Sequence, residues 1–155
     1  MCCSNYWLTI GAVMAGLSVC FGAFGAHGVD KYFAAKYKDA GLKNVAGFEV
    51  PTSWKRLEDF KTAADYQMYH ALGLIAVGML SKLRPKKSLQ IAGWSFLLGI
   101  ILFSGSLYAL TLTGEVQWGA SAPLGGSLLI VGWFALAMAA YPCDSTQSPS
   151  GNDLN

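Results

Sequence analysis

The chain has 155 residues; 54% are hydrophobic and 13% charged, and 18 glycines add to the uncharged fraction. Soluble domains average about 25% charged residues. The length fits one domain, and the composition excludes a disordered chain, a nucleic-acid binder and an ordinary soluble enzyme.

The charges are gathered rather than spread, and the gaps between them define the elements. Residues 1–29 carry none. A bilayer core about 30 Å thick needs roughly 20 apolar residues at 1.5 Å rise, so the first gap predicts a transmembrane helix over about 6–26. The N-terminus Met1-Cys2-Cys3-Ser4-Asn5 holds no Lys or Arg. It therefore lacks the basic region of a secretory signal, and the first helix is expected to be retained.

Residues 30–65 hold most of the charges. Lys31-Tyr32-Phe33-Ala34-Ala35-Lys36-Tyr37 interleaves aromatics and lysines as an amphipathic interfacial segment does. Gly41 and Gly47 break the stretch and Pro51 ends it. Beyond it, Trp54, Leu57, Lys61, Ala64, Met68 and Ala71 recur at helical spacing. This predicts a helix from near Ser53 that runs straight into a second span over about 62–81. Lys55/Asp59 and Lys61/Asp65 support it as i, i+4 pairs of opposite sign. Lys82, Arg84, Lys86 and Lys87 follow in a short turn. The third span is expected over about 89–113 and the fourth over about 120–141, with Glu115 alone between them. Residues 143–155 are rich in Ser, Pro, Asn and Gly and read as a disordered polar tail.

The expected fold class is therefore all-α. It is a single domain over 1–142, a multi-pass membrane bundle of four transmembrane helices, with an amphipathic extracytoplasmic segment between helices one and two. Basic residues near helix ends favour the cytoplasm. The turn from Lys82 to Lys87 has four of them and no acid, which places both termini inside and the 30–65 and Glu115 loops outside.

Lipid gives helices no hydrophobic reason to associate, so packing falls to small residues that let backbones approach. Helix one offers Gly11, Ala15, Ser18, Gly22 and Gly25, spaced alternately by four and three. Helix four offers Ser121, Gly125, Gly132, Ala135 and Ala139, with Leu128 filling the gap. Helix three has Ser95, Gly99 and Ser106, and helix two Ala64, Ala71 and Gly78. Such seams imply a tight bundle with little internal room. The cysteines Cys2, Cys3, Cys20 and Cys143 form no CxxC pair and read as plain thiols, Cys20 as a packing residue within the first span.

An up-and-down arrangement brings four helix ends to one side. His27, Asp65, Tyr66, Gln67, Tyr69, His70, Ser104, Ser106, Tyr108, Glu115 and Gln117 then gather in one leaflet. Polar groups inside a membrane are costly and often mark function. Two histidines and a carboxylate suit metal binding, a proton relay or haem ligation. The competing reading is that they cap helix ends and hydrogen-bond between helices. No catalytic residue, metal ligand set or cofactor is assigned.

The motifs Gly22-Ala23-Phe24-Gly25-Ala26-His27, Tyr66-Gln67-Met68-Tyr69-His70, Leu102-Phe103-Ser104-Gly105-Ser106-Leu107-Tyr108, Pro123-Leu124-Gly125-Gly126 and Gly132-Trp133 occur in that order. Over roughly residues 6–140 the chain resembles the domain of unknown function 423 family, the group of YgdD-like and transmembrane protein 256-like membrane proteins. The resemblance implies a multi-pass integral membrane protein, in bacteria at the inner membrane, and no established activity. The 36–60 stretch is longer than the family's usual connection, and the tail is acidic where such tails are often basic. The expectation is a small integral membrane protein that is not an enzyme and acts as a structural or assembly component. Its partners are the lipid bilayer and either a second copy or another membrane protein, not nucleic acid. The alternative is a small transporter or a proton- or metal-responsive component using His27, Asp65 and His70.

Overall fold

The computed structural model describes residues 5–141; the tail over 143–155 and Cys2, Cys3 and Cys143 lie outside them. Helix α1 spans Asn5–His27 and a short α2 spans Val29–Lys36. Two strands follow, β1 over Leu42–Val45 and β2 over Phe48–Pro51. Then come α3 over Thr52–Leu83, α4 over Lys87–Thr113, a 3-10 turn over Val116–Ser121 and α5 over Ala122–Ala140. Three helical stretches are long and apolar enough to cross a membrane: Tyr6–His27, Lys87–Thr113 and Val116–Ala140.

Local chemistry sets the boundaries. Pro51 fixes the entry to α3 and Pro85 blocks its continuation. Gly114 ends α4 in the left-handed region at φ 88°, and its N–H bonds to the Leu110 carbonyl at 3.0 Å. Pro123 sits in the first turn of α5, where its missing N–H costs nothing. As the spacing after Pro51 predicts, one unbroken helix of 32 residues carries the chain from the polar connection into the apolar stretch.

The connection after α1 adds a hairpin to the expected amphipathic segment. Only Val29–Lys36 is helical, and the chain then turns back as a hairpin with Val45 opposite Phe48 and Leu42 opposite Pro51. Ala46 and Gly47 both take positive φ, at 53° and 89°, as the tight hairpin turn requires. The Gly47 N–H donates to Asn44 Oδ1 at 3.1 Å. Nor does α2 lie free at an interface. Phe33 is fully buried, with Phe60 of α3 at 6.0 Å between ring centres. Lys36 donates to the Leu112 carbonyl, and the Tyr37 hydroxyl donates to the Thr111 carbonyl at 2.7 Å. The segment closes one end of the bundle by tying α3 to the end of α4.

The four long helices alternate in direction. Along α1 and α3, Gly11 meets Ala71 and Ile75 while Gly25 meets Phe60. Along α3 and α4, Gly73 meets Phe96 while Tyr66 stacks on Phe103. Along α4 and α5, Gly99 meets Leu129 while Gly132 meets Phe96. Thus α1 packs on α3, α3 on α4 and α4 on α5. Trp7 reaches across from α1 to α4, with its ring against Gly93 and edge-on to Trp94 at 5.3 Å. The core centres on Trp7, Leu74, Val77, Leu89, Phe96, Ile100, Leu129 and Leu136. Large apolar side chains face outward all around: Val13, Val19 and Phe24 on α1, Ile101 on α4, Phe134 and Met138 on α5. Such a belt is a liability in water and the expected finish against lipid.

The glycines differ sharply in what they permit. A Cβ on Gly78 would lie 2.6 Å from the Leu8 nitrogen, and one on Gly125 would lie 2.4 Å from the Phe103 nitrogen. These are backbone contacts and cannot swing aside. Gly22, by contrast, has nothing within 4 Å of that position. Gly78→Leu and Gly125→Leu are therefore expected to cost about 2 kcal/mol or more each. Gly22→Leu should cost less than about 0.5 kcal/mol. Thermal or denaturant unfolding in micelles measures the difference, and equal losses at Gly22 and Gly125 would refute this packing.

Candidate functional site

Of the polar residues expected to gather in one leaflet, Gln67 makes the most extensive interhelical connections. It lies on the buried face of α3. Its amide nitrogen donates to the Met14 carbonyl of α1 at 2.9 Å, and its amide oxygen accepts from the Tyr108 hydroxyl of α4 at 3.2 Å. Ser18 of α1 returns the link, donating to the Ala64 carbonyl of α3 at 2.8 Å. Three helices are joined through two adjacent turns of α3. These bonds sit where the small residues Gly11, Ser18 and Ala64 let α1 and α3 come close.

An aromatic cluster covers this network toward the α2 end. Tyr108 lies 4.6 Å from Phe21 and 5.0 Å from Phe60, centre to centre, and Phe60 touches Phe33. Arg56, one turn earlier on α3, is buried beneath α2. Its guanidinium lies 5.8 Å from the Tyr37 ring and 3.6 Å from Asp59, which Lys55 also holds. A cation so buried is held by a ring and a carboxylate together.

His70 occupies a different place. Its Nδ1 lies 2.6 Å from the Tyr66 carbonyl. A carbonyl only accepts, so Nδ1 carries the proton. The ring is walled by Tyr66 and Phe96 at 5.8 Å and Trp133 at 6.0 Å. It thus sits between α3, α4 and α5. His27 ends α1, is exposed, and borders an open depression of about 480 Å³ with Cys20, Ala23, Phe24 and Gly28. The two histidines share none of these neighbours. Asp65 is exposed, Tyr66 is half-exposed against Phe103, and Ser106 donates to the Phe103 carbonyl of its own helix at 2.9 Å. Ser104 is buried with its hydroxyl unpartnered. Among the described residues no three His, Cys, Asp or Glu side chains come close enough to hold a metal ion. At the rim, Gln117 bonds to Glu115 at 3.4 Å.

The small-residue positions sort by row. Gly11, Ser18 and Gly25, seven residues apart, are the buried small residues of α1, while Ala15 and Gly22 lie at its flank. Gly99, Gly125 and Gly132 all take close contacts. In α5 the row between the glycines is Leu129, not Leu128. Trp7 and its notch at Gly93 did not stand out in the sequence. Gly93 lies off the small-residue spacing of its helix, and only the indole packed on it, 2.4 Å from where a Cβ would be, reveals its role.

Comparison with known proteins agrees with the apolar helices. The family described as a protein of unknown function (DUF423) matches residues 21–126. A UPF0382 membrane protein of Staphylococcus saprophyticus is 38% identical over 135 residues, covering 87% of this chain and 96% of its own. The UPF0382 membrane protein YwdK of Bacillus subtilis is 39% identical over 135 residues, covering 86% and 94%. A UPF0382 membrane protein of Haemophilus influenzae is 35% identical over 143 residues, covering 91% and 98%. No solved structure matches the chain. The chain belongs to the DUF423 family of membrane proteins, whose function is not known.

Proposed function

We propose that the protein is a four-span membrane protein whose intramembrane polar groups lock helices together, and that it serves as a structural or assembly component of the membrane rather than as an enzyme. The observation that carries this reading is the Gln67 node. Both ends of its amide are engaged by other helices, as a structural lock needs and a substrate ligand does not. Interhelical hydrogen bonds in membranes contribute about 0.6–2 kcal/mol each. The alternative, a proton- or metal-responsive component using His27, Asp65 and His70, draws on groups that form no metal-holding cluster among the described residues.

The second span of this reading is the part of α3 after Asp65. Residues 66–81 carry no charge and cover about 24 Å at 1.5 Å per residue. Leu72 and Met79 face outward from it, while its other face is taken by α1 and α4. With four spans, the basic turn at Lys82–Lys87 and both termini lie in the cytoplasm, and α2 and the hairpin lie outside. In bacteria the membrane is the inner one.

Impermeant maleimide labelling tests this topology in a chain with its native cysteines changed to Ser. Gly47→Cys and Gln117→Cys should label from outside in intact cells, and Arg84→Cys only after lysis. Labelling of all three from one side would sink the four-span reading.

The functional reading has its own test. Gln67→Leu should lower stability in micelles by about 1–2 kcal/mol, and Tyr108→Phe by about half as much. In proteoliposomes neither the wild type nor His70→Ala should conduct protons or divalent metal above empty vesicles. Flux in the wild type that His70→Ala abolishes would overturn the structural role in favour of the alternative.

A further inference from the structure

At the end of the bundle opposite α2, the turn joining α3 to α4 meets the end of α5. Lys86 fastens the junction: its ammonium donates to the Ala139 carbonyl at 2.9 Å and lies 3.4 Å from the Tyr141 carbonyl. This satisfies acceptors that the end of a helix leaves open. Beside it lies a cavity of about 270 Å³ lined by Leu80, Leu83, Arg84, Leu89, Ala139 and Ala140. It has two characters. One side is the Arg84 side chain; the remaining lining is aliphatic, with Leu89 buried and Leu83 the most exposed large apolar residue of the described chain, at 77%.

Among the described residues the charge around it is uncompensated. Lys82, Arg84 and Lys87 are all exposed, and none is among the ion-paired residues of the described chain. No acidic residue occurs between Asp65 and Glu115, or along α5. Lys86 alone of the four cations is committed within the fold. A groove that is aliphatic on the helix side and cationic at its rim, placed where apolar helices end, matches a phospholipid at both ends of the molecule. The acyl chain is covered by leucine and alanine, and the phosphodiester is met by the exposed cations.

We propose that this groove is a binding site for an anionic phospholipid, with Arg84 and Lys87 at the headgroup and Leu80, Leu83 and Ala140 along the acyl chain. The site depends neither on the helix-locking role of Gln67 nor on which end of the bundle faces the cytoplasm.

Native mass spectrometry of the full chain, released from micelles holding equal amounts of phosphatidylglycerol and phosphatidylcholine, tests it. The wild type should retain phosphatidylglycerol at least about fivefold over phosphatidylcholine. The Arg84→Gln/Lys87→Gln double variant should bring the two to parity. Lys31→Gln/Lys38→Gln, at the other end, should leave the preference unchanged. Ala140→Trp, which fills the groove and keeps every charge, should lower phosphatidylglycerol retention. Excess inorganic phosphate should fail to displace the lipid. Equal retention of both lipids by the wild type overturns the proposal, as does a preference that survives the double variant. Displacement by phosphate, or an unchanged preference in Ala140→Trp, shows an anion site without a lipid groove. A dimer that Ala140→Trp dissolves shows that the groove takes a second copy instead. Circular dichroism of each variant separates lost binding from lost folding.

Discussion

Two helices in lipid gain nothing from hiding apolar side chains from one another, since the surroundings are equally apolar. What remains is contact itself, and contact between backbones is possible only where no side chain intervenes. Here that condition is met at Gly11 and Gly78 between α1 and α3, and at Gly99 and Gly125 between α4 and α5. Everything else in the bundle follows from these approaches. Because α1 lies so close, the Gln67 amide of α3 reaches a backbone carbonyl of α1, and Ser18 reaches one of α3. Because α5 lies so close, the Phe96 ring of α4 fits against Gly132 and also forms a wall for His70.

The polar bonds and the glycine contacts are therefore one device. An interhelical bond from Gln67 is short only if the helices are near, and nearness without such a bond leaves the helices free to slide. The node fixes the register of α1, α3 and α4, while the aromatic cluster of Phe21, Phe33, Phe60 and Tyr108 packs toward the α2 end. The other end is closed differently, by Trp7 seated on Gly93 and by Lys86 on the last carbonyls of α5. An aromatic plug at one end and a cationic clasp at the other suit a chain whose charges lie mostly outside its apolar stretches.

Much of this was legible in the sequence because membrane helices announce themselves by length and absence of charge. The third helix, expected over 89–113, runs Lys87–Thr113, and the continuation of the helix begun near Ser53 follows from spacing alone. The hairpin was not legible. Its strands are four residues each, and its turn places Ala46, not Asn or Asp, at positive φ beside Gly47. Phe33 reads as interfacial from its neighbours Tyr32 and Lys36, and only the docking of α2 on Phe60 buries it. At the site, residue types were visible but helix phase was not. Gln67 and Asp65 are two residues apart, and one faces α1 and α4 while the other faces out. The small-residue rows show the same limit. An alternating spacing of four and three includes Gly22 and Leu128 as readily as Gly25 and Leu129, and the crossing of the partner helix decides which row is used.

Composition marks α1, α4 and α5 as spans more plainly than α3. A helix at the edge of a bundle turns most of its surface to lipid and must be apolar all round. α3 has α1 on one side and α4 on the other, so protein replaces lipid around much of it. Gln67, His70 and Ser81 are buried there among helices, while Tyr69, Leu72 and Met79 face outward. On the four-span reading, α3 holds α1 and α4 while α4 holds α5, and a charge-free stretch as short as 66–81 suffices because the enclosed face makes no demand on lipid.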